Sequence, residues 1–480
     1  MTAVDGPPGG EGGDDVAVRR AVADAHRREW AFVLAATARV AGDLDLAEEC
    51  VQDAYLSALS AWTRQGVPGN PAAWLTTAAR RRALDAHRRA TTLRAKLPLL
   101  VEPEAVAPAE PVEEIIQDDR LRLVFTCCHP ALSVPAQVAL TLRLVCGLTT
   151  GEIAAAFLAT EPTIAARVTR AKKKISAARI AYRVPEPAEL PDRLDAVLVV
   201  VHLLFTTGHT APAGDRLVRT DLVDRAIGLA RMLHELMPDE REVIGLLALL
   251  VLTDARRATR MDDTGGVVLL ADQDRSRWDR TAITEGGALV REALRGGQPG
   301  RFAVQAAIAA LHAEAPSYAE TDWRQVLGLY DVLARVWSSP VVELNRAVAL
   351  AKVCGPAAAL ARVDDLVADG RLAGYRYLPV TRADLLRQLG RPDEAAAEYR
   401  AALELAENTA EREFLAARIA ELDEADGRGR IEVSGHRQAE AHGGHPDHRP
   451  ELPTVAAAEP ADGAADHRAG PETAGRRDQR

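Results

Sequence analysis

The sequence predicts an all-α protein. Ala and Leu dominate a chain of 480 residues that is 48% hydrophobic yet only 4% aromatic. Val/Ile-rich alternating runs are scarce, which favours helices over sheets, and apolar positions recur at i, i+3, i+4 spacing. The length suits about three domains at roughly 150 residues each. The longest uncharged apolar runs, such as Ile244 to Leu252, fall short of the ~18–20 residues of a membrane span. The chain opens Gly-rich and acidic rather than with a signal segment. Five cysteines (Cys50, Cys127, Cys128, Cys146, Cys354) make no even disulfide framework, which points to a reduced, cytoplasmic setting. These observations exclude a secreted disulfide scaffold, a membrane protein and a collagen-like fibre.

Residues 1–15 are Gly-, Pro- and Asp-rich and are expected to be disordered. A helical module covers 16–96. Within it, Asp45 to Trp62 lines Ala47, Val51, Ala54, Tyr55, Ala58, Leu59 and Trp62 along one stripe. The opposite face carries Asp45, Glu48, Glu49, Gln52 and Asp53. After a Gly/Pro/Asn break at 66–71, a second helix runs from about Ala72 to Arg89, with Pro71 suited to its start. Residues 97–113 hold four prolines and four glutamates and read as a linker.

A second helical module covers 114–184. Thr149 with Glu152 three residues on is a capping box that opens a short helix. Thr160 can cap the next helix, and Pro162 fits its first turn. That helix buries Ile164, Val168, Ala171 and Ile175 and exposes Arg167, Arg170, Lys172, Lys173 and Lys174. A short helix, a tight turn and a basic helix form a helix-turn-helix signature. Residues 185–425 read as a helical extension, in which Ala383, Gly390, Ala395, Tyr399 and Ala402 match the spacing of a tetratricopeptide repeat. The last 55 residues, 426–480, read as a disordered tail.

The net charge of −10 hides a segregation. Arg80 to Lys96 and Glu161 to Arg183 each carry seven Lys/Arg against one acid, net +6, whereas Asp43 to Asp53 holds five acids and no base. Two basic stretches separated by an acidic linker suggest a polyanion binder with two hands.

Three segments carry a family resemblance: DLDLAEECVQDAYLSALSAW, NPAAWLTTAARRRALDAHRR and LTTGEIAAAFLATEPTIAARVTRAKKKI. Together they resemble regions 2 and 4 of an extracytoplasmic-function (ECF) sigma factor of bacterial RNA polymerase, with no room for a region 3 between them. The C-terminal part resembles the tetratricopeptide-like extension of one ECF subgroup. The residues involved are FTCCHPAL, DARR, DQDRSRWDR, TDW and SPVVELNRAVAL. Phe205-Thr-Thr-Gly208-His209 departs from that subgroup's pattern.

The resemblance implies two linked sigma modules and a repeat-like C-terminal domain, with core RNA polymerase and promoter DNA as partners and no catalytic residue, metal or cofactor. The acidic face, Asp45, Glu48, Glu49, Gln52 and Asp53, would dock on the polymerase clamp. Asn70, Trp74, Arg80, Arg81, Arg82, Arg88 and Arg89 would engage the −10 element, the arginines following phosphates and Trp74 stacking on an unpaired base. Thr163, Ala166, Arg167 and Arg170 would lie over −35 base edges, while Lys172, Lys173 and Lys174 neutralise phosphates. The extension would contact the sigma modules, the polymerase or a protein partner.

Other clusters read as structural. Cys127-Cys128-His129 with Cys146 lacks the C-x2-C spacing of a zinc site, and DQDRSRWDR reads as a salt-bridged helix junction. The tail histidines His436, His442, His445, His448 and His467 look compositional. Two rival functions stand beside the sigma reading: a one-component regulator that uses only the helix-turn-helix, and an enzyme housed in the extension.

Overall fold

The computed structural model describes residues 11–96, 119–157 and 159–435. The linker expected at 97–113 and the tail beyond 435 lie outside the described residues. The sequence divides into two compact units, the first comprising residues up to 214, 218–254 and 285–306, the second 215–217, 255–284 and 307 onward. The division falls inside the extension, so its first part belongs with the two N-terminal modules. Among the described residues, β-strands are confined to Ala213–Gly214 and Glu407–Asn408, with one isolated bridge between Met261 and Val267. No described helix is long and apolar enough to cross a membrane.

In the first unit, α1 (Glu11–Ala41), α2 (Leu44–Gln65) and α3 (Pro71–Lys96) pack together. Helix α1 therefore starts inside the stretch expected to be disordered. The α2 stripe behaves as its spacing requires: Ala47, Val51, Ala54, Tyr55, Ala58 and Trp62 are buried. Leu59 is the exception and is exposed. The next elements are α4 (Asp119–Cys127), α5 (Val134–Leu144), α6 (Thr150–Ala156) and α7 (Glu161–Ala177). After them come α8 (Leu190–His209), α9 (Thr220–Leu236) and α10 (Arg241–Asp254).

Gly208 explains one motif of the extension. A Cβ there would sit 2.8 Å from Leu222 Cβ and 2.9 Å from the Val223 nitrogen, so only glycine lets α8 pass this close to α9. Its neighbour His209 stacks on Phe205 with ring centroids 5.3 Å apart.

Helices α11 (Arg280–Ala293) and α12 (Arg301–Glu314) precede α13 (Trp323–Val336), α14 (Pro340–Cys354), α15 (Pro356–Asp369), α16 (Tyr377–Gln388), α17 (Pro392–Leu405) and α18 (Thr409–Gly435). Helix α18 runs into the stretch expected to be a disordered tail. The repeat residues sit where a helix pair needs them. Ala383, Ala395 and Ala402 are 0% exposed, small side chains that let α16 and α17 meet closely, and the large Tyr399 ring is 1% exposed in one core with Ala383 and Ala402. Gly390 turns the chain between them with φ +71°, a conformation that favours glycine.

The DQDRSRWDR segment is a junction, though built differently from the expected salt bridges. Asp274 caps a single 3-10 turn (Arg275–Arg277), and Asp279 accepts from the Ala282 nitrogen at 3.0 Å. Arg275 donates to backbone carbonyls instead of carboxylates.

Candidate promoter and polymerase interfaces

Helix α2 starts at Asp43, whose carboxylate accepts from the Leu46 nitrogen at 2.9 Å. Burial of the stripe turns a polar ridge outward: Glu49, Gln52 and Asp53 are exposed. Leu56 continues that ridge one turn further and is 65% exposed. Sequence reading missed it because periodicity marks only what is buried; the i, i+3, i+4, i+7 relation of 49, 52, 53 and 56 was the available signal.

Glu48 does not belong to this ridge. It is 7% exposed, its carboxylate pairing with Arg143 of α5 and with the Lys172 ammonium of α7 at 2.6 Å. Lys172 reaches Asp45 as well, at 2.8 Å. Residues assigned to separate surfaces, Asp45 and Glu48 for polymerase and Lys172 for phosphate, thus join in one cluster, in which Glu48 and Lys172 are buried and Asp45 stays exposed. Lys172 is 8% exposed and cannot meet a phosphate in this arrangement. The reason is its place at 172, which continues the buried Val168, Ala171, Ile175 stripe. Burial disfavours its charge, but Glu48 and Asp45 outweigh that and raise its pKa above the ordinary lysine value.

The same seam is pinned elsewhere. Trp30 Nε1 of α1 donates to the Leu144 carbonyl at 3.0 Å, and the Tyr182 hydroxyl donates to the Ala35 carbonyl at 3.0 Å. A cavity of about 230 Å³ remains, lined by Asp43, Asp45, Lys172, Arg179 and Tyr182 among others. The two modules therefore meet across a seam that is incompletely packed at one end. The extension braces the second module, since Arg193 of α8 donates to the Phe125 carbonyl at 2.7 Å and Arg225 of α9 to the Cys146 carbonyl.

On α3 the −10 candidates differ in freedom. Asn70 caps the helix, its side-chain oxygen accepting from the Ala73 nitrogen at 3.0 Å. Trp74 is half-buried and meets the buried Trp62 edge-on at 5.8 Å, so one edge is core and the rest accessible. Arg82 is held by the Ser57 hydroxyl at 2.5 Å and by Asp53 at 4.0 Å. Arg88 reaches the Asp85 carboxylate at 3.5 Å and Arg89 the Asp85 carbonyl at 3.3 Å. Arg81 is exposed; Arg80 is half-buried, its Nε without a hydrogen-bond partner among the described residues.

The helix-turn-helix is built as its sequence requires. Glu152 accepts from the Thr149 nitrogen at 2.7 Å and Thr149 Oγ1 from the Glu152 nitrogen at 3.1 Å, the reciprocal capping box. Thr160 caps α7, and the Thr163 hydroxyl lies 2.8 Å from its hydroxyl. Ala166, Arg170, Lys173 and Lys174 are exposed and Arg167 is half-buried. This leaves a basic face on α7 outside the seam.

Cys127, Cys128 and Cys146 are buried free thiols. Burial pushes Cys128 up to about 12 and Cys146 up to about 11, so both are neutral thiols rather than metal-binding thiolates near pH 7. No group of three or more His, Cys, Asp or Glu suited to a metal occurs among the described residues.

Residues 23–92 match Sigma-70 region 2 and residues 122–175 match Sigma-70, region 4. Residues 193–294 match a family of unknown function (DUF6596). An uncharacterized protein of Rhizobium meliloti (strain 1021) is 43% identical over 382 residues, covering 78% of this chain and 89% of that protein. No solved structure matches. Regions 2 and 4, each folded as a helical module and followed by so long a helical extension, place the chain in the sigma-70 family as an ECF sigma factor with a long C-terminal extension.

Proposed function

We propose that this sigma factor binds core RNA polymerase through the exposed ridge of α2, engages the −10 element with α3 and the −35 element with α7, and is held closed when free by the Glu48 cluster. The observation that carries the reading is the division of labour on α2. Glu48 faces inward to Arg143 and Lys172, while Glu49, Gln52, Asp53 and Leu56 face outward together. An exposed leucine flanked by acids suits an apolar contact within a charged rim.

The closed state can serve only one promoter element at a time. The −10 and −35 elements lie about 80 Å apart along B-form DNA at 3.4 Å per base pair. In the free chain, Trp30 Nε1 and the Leu144 carbonyl are 3.0 Å apart. Simultaneous recognition therefore needs the seam to part. The extension, through Arg193 and Arg225, keeps region 4 folded during that separation and supplies a contact needed in the initiation complex. The protein acts by recognition in the cytoplasm and performs no catalysis itself.

Transcription in vitro with core polymerase tests this reading. Changing Glu49 and Asp53 to Lys together with Leu56→Arg is expected to lower core affinity at least about 10-fold, the scale of a lost interface anchor, and leave the circular dichroism native. Unchanged core affinity removes the docking assignment. On α7, Arg167→Ala or Arg170→Ala is expected to relax preference at individual −35 positions. Lys173→Ala weakens all sequences alike and reduces the salt slope by about 1. Identical behaviour of the two classes means that the helix faces DNA differently.

A further inference from the structure

Within the second unit, promoter recognition leaves one group of side chains unused. Arg275 Nη1 donates to the carbonyl oxygens of His312 at 2.6 Å and Ala315 at 2.8 Å, and its guanidinium lies 4.5 Å over the Trp278 ring. These contacts fix its plane and leave Nη2 sealed from solvent without a partner. Arg256 Nη1 and both ring nitrogens of His312 are sealed and unpartnered in the same way. Arg275 and His312 are each only 8% exposed.

No carboxylate pairs with Arg256 or Arg275 among the described residues. The nearest acids in sequence are engaged as caps, Asp274 on Ser276 and Asp279 on Ala282. The cations act on one another instead. Burial and then the Arg275 charge bring Arg256 down to about 10, and burial, Arg256 and Arg275 bring His312 down to about 3. His312 is therefore a neutral imidazole at pH 7. Two crowded guanidiniums with unfilled donors and no counter-charge are strongly destabilising unless an anion completes them.

We propose that Arg256, Arg275 and His312 form a binding site for a small oxyanion of the phosphate class within the extension. Arginine forks match the tetrahedral oxygens of phosphate. Neutral His312 presents one N–H donor and one acceptor nitrogen. The two nitrogens diverge from the ring, so one anion meets only one of them: a hydrogen phosphate can accept from the N–H or donate its P–OH to the bare nitrogen, whereas an ionised carboxylate can only accept. Trp278 packs beneath Arg275, and Trp323 meets the His312 ring edge-on at 5.2 Å, so aromatic walls hold the polar groups in place. The flanking 3-10 turns, Arg257–Thr259 and Arg275–Arg277, are single turns that open more readily than an α-helix and give the anion its entry.

Thermal melting of the full chain in inorganic phosphate, citrate or sodium chloride at equal ionic strength tests the site. Phosphate is expected to raise Tm saturably, by about 3–6 °C at ten times its dissociation constant, with citrate giving less. Arg256→Gln abolishes this shift. In phosphate-free buffer the same variant melts at or above the wild-type Tm, because an unpaired buried cation has been removed. A response to citrate but not phosphate overturns the phosphate assignment. An equal shift in Arg256→Gln, meaning an adventitious ion only, overturns the site. So does the absence of any saturable shift, or a loss of Tm in phosphate-free Arg256→Gln with the phosphate shift intact.

Discussion

Glu48→Lys is expected to part regions 2 and 4 without unfolding either. The carboxylate it replaces is buried between Arg143 and Lys172, so the variant sets three cations against one another where two were neutralised. Breaking a buried ion pair from one side costs about 3–5 kcal/mol, enough to move a two-state equilibrium by about two to four orders of magnitude. Glu48→Gln removes the charge without adding one and is expected to give a smaller opening of the same kind. Lys172, once released, joins the phosphate contacts of α7, so the salt slope for −35 duplex binding steepens by about 1. Limited proteolysis and a salt titration of duplex binding measure the two effects. Unaltered protection together with an unaltered slope would mean that the cluster does not hold the seam. Because the folded pKa of Lys172 is raised, its contribution is full below the ordinary value of 10.5 and is lost as pH rises through the folded value. The Lys172 contact is therefore indifferent to pH across the neutral range.

Cutting the chain after Arg183 is expected to abolish transcription and −35 binding together. The truncation removes α8 and α9, and with them the Arg193 and Arg225 donors to the Phe125 and Cys146 carbonyls. It also uncovers α4 and α5, whose Leu123, Phe125 and Leu140 are 0% exposed in the intact chain and which pack against α8. Each such side chain returned to water costs about 1.5–3 kcal/mol, more than a module of this size can spare. Reduced helix content, aggregation and no gel shift with a −35 duplex are the expected readouts. A soluble, monomeric fragment that shifts −35 DNA at wild-type affinity would show region 4 to be independent of the extension.

The local architecture was legible in the sequence because local spacing encodes it. The α2 stripe, the Thr149/Glu152 box, the Thr160 cap and the Ala383 to Ala402 repeat residues each depend on neighbours within one or two turns. What escaped was long-range. Glu48 and Lys172 lie 124 residues apart, and nothing near either announces the other. Helical position offered one clue: Lys172 falls on the buried side of its own helix, and a buried lysine needs an acid. Arg275 was misjudged for a related reason. The Asp/Arg alternation around it suggests ion pairs, yet the aspartates cap turns and the arginine reaches carbonyls some 40 residues away. Leu59, on the stripe yet exposed, marks where apolar periodicity stops reporting burial.

Energy transfer between dyes on two exposed positions, Arg64→Cys in region 2 and Lys173→Cys in region 4, tests the closed-to-open account most directly, with the exposed Cys354 replaced by Ser. The account predicts high transfer in the free chain, little transfer in Glu48→Lys, and near-complete loss when core polymerase and a promoter duplex are added. Transfer that stays high in a complex that is making transcript would contradict it.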